Sequence, residues 1–179
     1  MTKFSKRYGT ALSIIAIVVF MVGGMVIASN MGFKLSFGLL KAAGTNSGTN
    51  WVSLPMYFPF ANALDWKADI TNCTQVTRFV RSNDTLQTYT GAKGSINFPI
   101  EKGTAYLVKV SADTSYVVVG AHDPSYAVPL LKAVGTNSGT NWVSVPYHST
   151  TNNALELKAD IANCTQVTKF VRSNDTLQT

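Results

Sequence analysis

The most apolar part of the chain is an uncharged run at residues 10–28, TALSIIAIVVFMVGGMVIA, which follows a short basic start, MTKFSKRYG. A basic segment followed by an apolar segment is the order found in secretory signals. Signal cleavage requires small residues at the last and third-last positions before the cut, and Val26-Ile27-Ala28 meets that requirement. We therefore expect residues 1–28 to direct export, with a mature chain that begins near Ser29.

Two other interpretations of residues 1–28 stay open. The apolar run approaches the roughly 20 residues that cross a bilayer, so the second interpretation is an uncleaved anchor with the bulk of the chain outside. The third is a pilin-like leader cut after Gly9, because a basic leader followed by an apolar helix resembles the start of prepilins. Bacterial prepilins usually carry a glutamate early in that helix, whereas here no acidic residue precedes Asp65.

After residue 30, short β-type runs alternate with turn residues. Glycine and asparagine supply the turns, for example in GTNSGTN at residues 44–50. Residues 62–70, NALDWKADI, instead predict a short helix with Asn62 as its N-cap. We expect a mainly β fold, a sandwich or barrel-like module with one short helix, whose strands are residues 34–40, 51–55, 76–81, 86–90, 104–110 and 116–121.

An internal repeat sets the expected domain organisation. Residues 39–88 recur as residues 130–179 with a constant offset of 91, no gap, and 38 of 50 positions identical. A period of this length is too long for a solenoid repeat and fits tandem small domains. We expect a signal peptide or membrane anchor at 1–28, a first β module at 29–129, and a second, incomplete copy at 130–179.

The second copy has no counterpart of residues 89–129, which hold two of the predicted strands. A module without them would leave an open sheet edge. Two explanations stay open: the sequence is a fragment of a longer protein, or another subunit supplies the missing strands by strand addition.

Trp51 and Trp142 are retained in both copies and each precedes an apolar β run, so we expect both to be largely buried.

Two segments carry a resemblance to a known kind of module. Trp51-Val52-Ser53-Leu54-Pro55 is followed by the short helical stretch and then by residues 101–110, EKGTAYLVKV. This arrangement resembles a loosely defined module of secreted bacterial and archaeal proteins, which pairs a W-x-S-[LIV]-P strand with a later P-G-x-G-Y-x-V-like strand. Residues 101–105 depart from it, since the module often has a Pro-Gly pair and a second glycine there. The resemblance covers nearly all of residues 39–129 and implies surface location and modular display, with no catalytic residues.

Composition and charge exclude several classes of protein. The chain has 46% hydrophobic residues, 13 Gly and 2 Cys in 179 residues, which is unlike a disordered, collagen-like or disulfide-dense chain. It carries 15 Lys+Arg against 9 Asp+Glu, but three of the basic residues precede the apolar run. The remaining net charge of +3 after residue 28 is too small to predict nucleic-acid binding.

The candidate reactive groups are few. Cys73 and Cys164 occupy the same position in the two copies, so neither has a partner within its own copy, and their spacing excludes a metal site. Three interpretations are open: a Cys73–Cys164 bridge between the copies, two buried thiols, or intermolecular bridges. His122 and His148 have no triad or metal-ligand spacing. Four N-x-[ST] sequons are candidate glycosylation sites, at Asn72, Asn83, Asn163 and Asn174.

The differences between the copies are clustered, and 9 of the 12 fall at positions 54, 56–61, 65 and 66. The first copy is apolar and aromatic there, whereas the second is polar. The aromatic residues are either a binding patch for sugars or a partner, or packing residues covered by the adjacent unit or by residues 31–38. We expect packing. The residues concerned are Tyr57, Phe58, Phe60 and Trp66.

These patterns predict an exported structural or adhesive protein of the cell surface, located extracellularly and built of tandem β modules. We expect no enzyme activity, no metal and no cofactor. Two alternatives stay open, a carbohydrate- or ligand-binding module and a subunit of an extracellular filament. The expected partners are further copies of the protein or cell-surface components, including glycans. We expect no nucleic-acid partner, and membrane contact only through residues 10–28 if they are not cleaved.

Overall fold

The structure, a computed structural model, describes residues 32–121, 123, 127–145, 149–171 and 175–179. The expected leader at residues 1–28 lies outside these residues, as do His122 and His148. The described chain is mainly β. Its elements in chain order are β1 (Phe33–Leu39), β2 (Thr49–Ser53), α1 (Ala63–Asp69), β3 (Cys73–Val80), β4 (Thr85–Tyr89), β5 (Ala105–Val110), β6 (Thr114–Gly120), α2 (Ala154–Asp160), β7 (Lys169–Val171) and β8 (Thr176–Gln178).

All six predicted strands are confirmed, with ends shifted by at most three residues. The predicted helix is confirmed as α1. Its N-cap is Asn62, whose side chain accepts a hydrogen bond from the backbone N–H of Asp65 at 3.1 Å. The cap works because a short polar side chain satisfies one of the N–H groups that the first helical turn leaves free.

The strands form three antiparallel groups. A four-stranded sheet has the order β2-β5-β3-β4, β1 pairs with β6, and β7 pairs with β8. Side chains of β1 alternate between exposed and half-buried along the strand, as expected of a sheet with one wet face. The central strands β3 and β5 are more buried, since both of their edges are paired.

The core lies between the four-stranded sheet, the β1–β6 pair and α1. Trp66 of α1 is fully buried at 0% exposure and meets the ring of Tyr106 edge-on, with 5.4 Å between centroids. Its indole N–H donates to the hydroxyl of Tyr116 at 3.0 Å, and that hydroxyl donates to Asp69 at 2.9 Å. Burial raises the pKa of Tyr116 and raises the pKa of Tyr106 to about 12.

Every residue of this core lies between Phe33 and Val118, and so within residues 32–129, which we call the first half. The second copy repeats the local structure, with α2 capped by Asn153 as α1 is by Asn62, but α2 buries none of its residues. The reason is that residues 130–179 contain no counterparts of β5 and β6, the strands that cover Trp66 in the first half.

We therefore expect residues 32–129 to fold alone and residues 130–179 to remain unfolded as an isolated peptide. Fifty residues without these strands bury too little apolar surface to offset chain entropy. Thermal unfolding followed by circular dichroism distinguishes the two fragments. A cooperative transition in the dilute 130–179 peptide would contradict the expectation, as would its absence in 32–129.

Replacing Tyr116 with Phe should lower the free energy of unfolding by about 1–3 kcal/mol, because the buried indole N–H of Trp66 then has no acceptor. The substitution should also weaken the alkaline dependence of stability. A tyrosine whose pKa is higher in the folded state contributes stability that is present below the unfolded pKa near 10 and is lost as pH rises above it. Urea unfolding at neutral and alkaline pH measures both effects, and an unchanged variant would show that the hydrogen bond is unimportant.

Candidate interaction surface between the two sequence copies

The loop GTNSGTN is built in the same way in both copies. The side chain of Asn50 accepts from the N–H of Leu40 and donates to its carbonyl, both at 2.9 Å. Asn141 makes the same two bonds with Leu131, again at 2.9 Å. Each asparagine thus ties the end of its loop back to the leucine that precedes the loop. The serine in the middle of each loop, Ser47 or Ser138, is exposed at the tip.

The glycine after that serine is required by the loop. Gly48 has a φ of 73°, and a Cβ there would lie 2.5 Å from the backbone nitrogen of Ala42. Gly139 repeats the conformation with a φ of 80° and 2.8 Å to the nitrogen of Ala133. Since only glycine combines a positive φ with no side chain, both copies keep the same backbone at this point.

The loop of each copy bonds to a turn of the other. Ser47 donates its backbone N–H to Asp175 at 2.5 Å, and Ser138 donates its own to Asp84 at 2.6 Å. Asp84 and Asp175 share a φ of 54°, a left-handed conformation that aspartate tolerates better than most residues. The hydroxyl and the N–H of Ser47 lower the pKa of Asp175, so this contact favours the charged carboxylate.

Four aromatic side chains fill the space between the copies. The rings of Trp51 and Trp142 are 4.2 Å apart between centroids. Trp51 also packs on Phe170 at 5.5 Å, and Trp142 stacks on Phe79 at 4.7 Å. Both tryptophans, which the sequence predicts to be largely buried, are half-buried and lie outside the core cluster, because they cover each other at the contact between copies.

A short strand contact completes this interface. Ala105 donates its N–H to the carbonyl of Trp142, and Ser144 donates to the carbonyl of Gly103, both at 3.0 Å. This antiparallel bridge joins Val143 of the second copy to Thr104, the residue that precedes β5. Beside it lies an open cleft of about 210 Å³, whose lining includes Arg78, Arg81, Glu101, Tyr106 and Leu131.

The structure divides the predicted aromatic patch. Trp66 and Phe60 are buried at 0% and 9% exposure, and Phe60 stacks between Trp66 and the partly buried Phe58, with centroids 6.4 and 6.0 Å away. Tyr57 is 53% exposed, with the ammonium group of Lys102 3.9 Å from its ring centre. The four residues do not form one exposed surface, and Phe60 and Trp66 are packing residues of their own unit.

The two cysteines are free thiols, so the Cys73–Cys164 bridge is absent from the structure. Cys73 is buried in the core of the first half, where burial raises the pKa of its thiol, and Cys164 is half-buried. A thiol that faces its own core is not presented to the other copy. This placement agrees with the interpretation of Cys73 as a buried thiol.

The sequon residues Asn72, Asn83 and Asn163 are exposed, while Asn174 lies outside the described residues. The side-chain amide of Asn72 donates to the hydroxyl of Thr114 at 3.3 Å.

Within the described residues, no group of three or more His, Cys, Asp or Glu side chains could hold a metal ion. In the same residues, no helix is long and apolar enough to cross a membrane.

Sequence reasoning missed the interface, although it carried a signal. The residues involved are identical in the two copies, which also fits burial within each copy. A contact in which each copy supplies the same donor and the same acceptor also requires identical residues.

Comparisons with protein-family profiles, with curated proteins and with solved structures found no match for this chain.

Replacing Phe58 with Ser and Phe60 with Thr, the residues of the second copy, should lower the free energy of unfolding by about 3–5 kcal/mol, because the stack on Trp66 is lost. Tyr57→His, which also copies the second copy but at an exposed position, is the matched control and should change stability little. Urea unfolding midpoints measure both. A double variant as stable as the parent would contradict the packing role.

Proposed function

We propose that this protein is an exported structural or adhesive protein of the cell surface, in which tandem β modules hold one another through equivalent side chains. The observation that carries the proposal is the interface between the copies. Trp51, Phe79, Trp142 and Phe170 are shared by the repeat and meet between its two copies. Contacts between repeats made from repeated residues let the modules of a structural protein hold one another in pairs.

Two further observations support a structural role. The cleft beside the interface is small and open, and its charged residues Arg81 and Glu101 face each other at 3.8 Å. The tips of the polar turn loops are exposed at Ser47, Asn83 and Ser138. The basic and apolar start of the chain supports export.

A filament subunit is the second candidate. It is favoured by the contact in which the backbones of Trp142 and Ser144 pair with those of Ala105 and Gly103, at the start of β5, through two hydrogen bonds of 3.0 Å. Pairing of an extended segment with the strand of another chain is a general means of joining chains, since the backbone supplies the bonds and any chain can provide them. The same backbone contact made between molecules would produce a polymer. A carbohydrate-binding role for the aromatic patch has less support, because Phe60 and Trp66 are buried.

Surface proteolysis tests the proposed location. Intact cells that produce the protein are treated with trypsin, and released peptides are identified by mass spectrometry, with a cytosolic protein as the control for lysis. We expect peptides from residues 32–179 while the control stays intact. Protection of these peptides in intact cells, followed by their release after lysis, would falsify export.

The N-terminus of the mature protein, measured by mass spectrometry, distinguishes the three interpretations of residues 1–28. A chain that begins at Ser29 indicates a cleaved signal, one at Thr10 a pilin-like leader, and one at Met1 an uncleaved anchor.

Negative-stain microscopy of material sheared from the same cells tests the second candidate, the filament subunit. Filaments that contain this chain would favour a polymer, and their absence would leave the non-filamentous surface protein.

A further inference from the structure

We propose that each module carries a self-complementary pairing face, so that two modules of this sequence associate around a local two-fold axis, whether they belong to one chain or to two. In the first module the face consists of Ser47, Trp51, Phe79 and Asp84. In the second it consists of Ser138, Trp142, Phe170 and Asp175. The partner that this face fits is therefore a second copy of the same module. The inference does not depend on export.

The contacts across the interface occur in equivalent pairs. Adding 91 to Ser47 and Asp84 gives Ser138 and Asp175, so the bond from Ser47 to Asp175 and the bond from Ser138 to Asp84 are the same contact made in both directions. Their lengths, 2.5 and 2.6 Å, agree closely. Reciprocal contacts of this kind define an isologous interface, in which the same patch is used on both sides.

The aromatic contacts follow the same rule. Trp51 packs on Phe170, and the equivalent Trp142 packs on Phe79. The remaining contact joins Trp51 to Trp142, which are equivalent to each other. A residue that meets its own counterpart must lie at the two-fold axis, so the two tryptophans mark the centre of the interface.

The pattern of divergence between the copies supports this assignment. All four positions of the face are identical in both copies, whereas 12 of the 50 aligned positions differ. Most of the differences lie at 54, 56–61, 65 and 66, in segments that pack on the core of the first half or surround it. The second copy contributes no side chain to that core, yet it keeps every residue of the face.

The backbone bridge between the copies, as the described residues show it, is not reciprocal. The bridge between Thr104 and Val143 has no equivalent, because residues 130–179 contain no counterpart of Thr104. The pairing face does not include it. The serine–aspartate bonds and the aromatic contacts, in contrast, are made by residues that both copies possess. These contacts are the ones that a two-fold axis relates.

The test removes the face from the second module only, in the full chain. Trp142→Ala with Phe170→Ala should free the first module's face for another molecule, so the variant should sediment in mild detergent at twice the protein mass of the parent. Neither residue belongs to the core, so the first half stays folded. Leu155→Ala is the matched control: it removes an apolar side chain of the same copy that is 78% exposed, and it should keep the parent mass.

Adding Trp51→Ala and Phe79→Ala to the double variant should return the mass to that of the parent, because the remaining face is then removed. The proposal is overturned if the double variant keeps the parent mass, or if the doubled mass survives these additional substitutions. Either result shows that the first module's face does not bind its like.

A second pair of variants covers the case in which the double variant loses its cooperative unfolding transition. Asp84→Asn and Asp175→Asn each remove the charge from one of two equivalent bonds. The proposal requires both to lower the unfolding midpoint of the full chain, and by a similar amount. A shift for one and none for the other shows that the contacts are not equivalent and overturns the two-fold arrangement.

Discussion

The indole of Trp66 is completely buried, and its cover comes from elements far apart in the sequence. Phe60 stacks on one side, Tyr106 of β5 meets it edge-on, and Tyr116 of β6 accepts its N–H. This hydrogen bond and the two ring contacts together hold α1 against the sheet. The four-stranded sheet, the β1–β6 pair and the helix thus share one core, and that core depends on strands that lie 40 to 50 residues further along the chain.

The second copy shows what the same local sequence does without that cover. It forms the same helix cap and the same Asn141-anchored loop, since both depend on neighbouring residues. It has Leu157 where the first copy has Trp66, and its helix remains unburied. Among the described residues, it contacts the first half through the pairing face and through the backbone at the start of β5. In this structure the second copy is held by association rather than by a core of its own.

The difference between a first half with its own core and a second copy held by association supports the surface-protein proposal. A module whose core is complete can act as a rigid unit, and a self-complementary face on that unit joins it to its like without further components. Tryptophan and phenylalanine suit such a face because they bury large areas and stack in defined geometries. The reciprocal aspartates add direction, since each carboxylate accepts from the backbone N–H that the opposite loop presents.

The sequence by itself determined the strands, the helix with its Asn62 cap, the turn loops and the repeat, because each depends on residues within a few positions of one another. It also supported packing for Phe60 and Trp66. What it could not decide was the role of Trp51. Successive side chains of a strand point to opposite faces, and in β2 both faces carry apolar residues, so the pattern alone does not show which one is inward. The tertiary structure places Val52 in the core and Trp51 outside it, because the sheet, the helix and the β1–β6 pair together leave only one face of β2 covered.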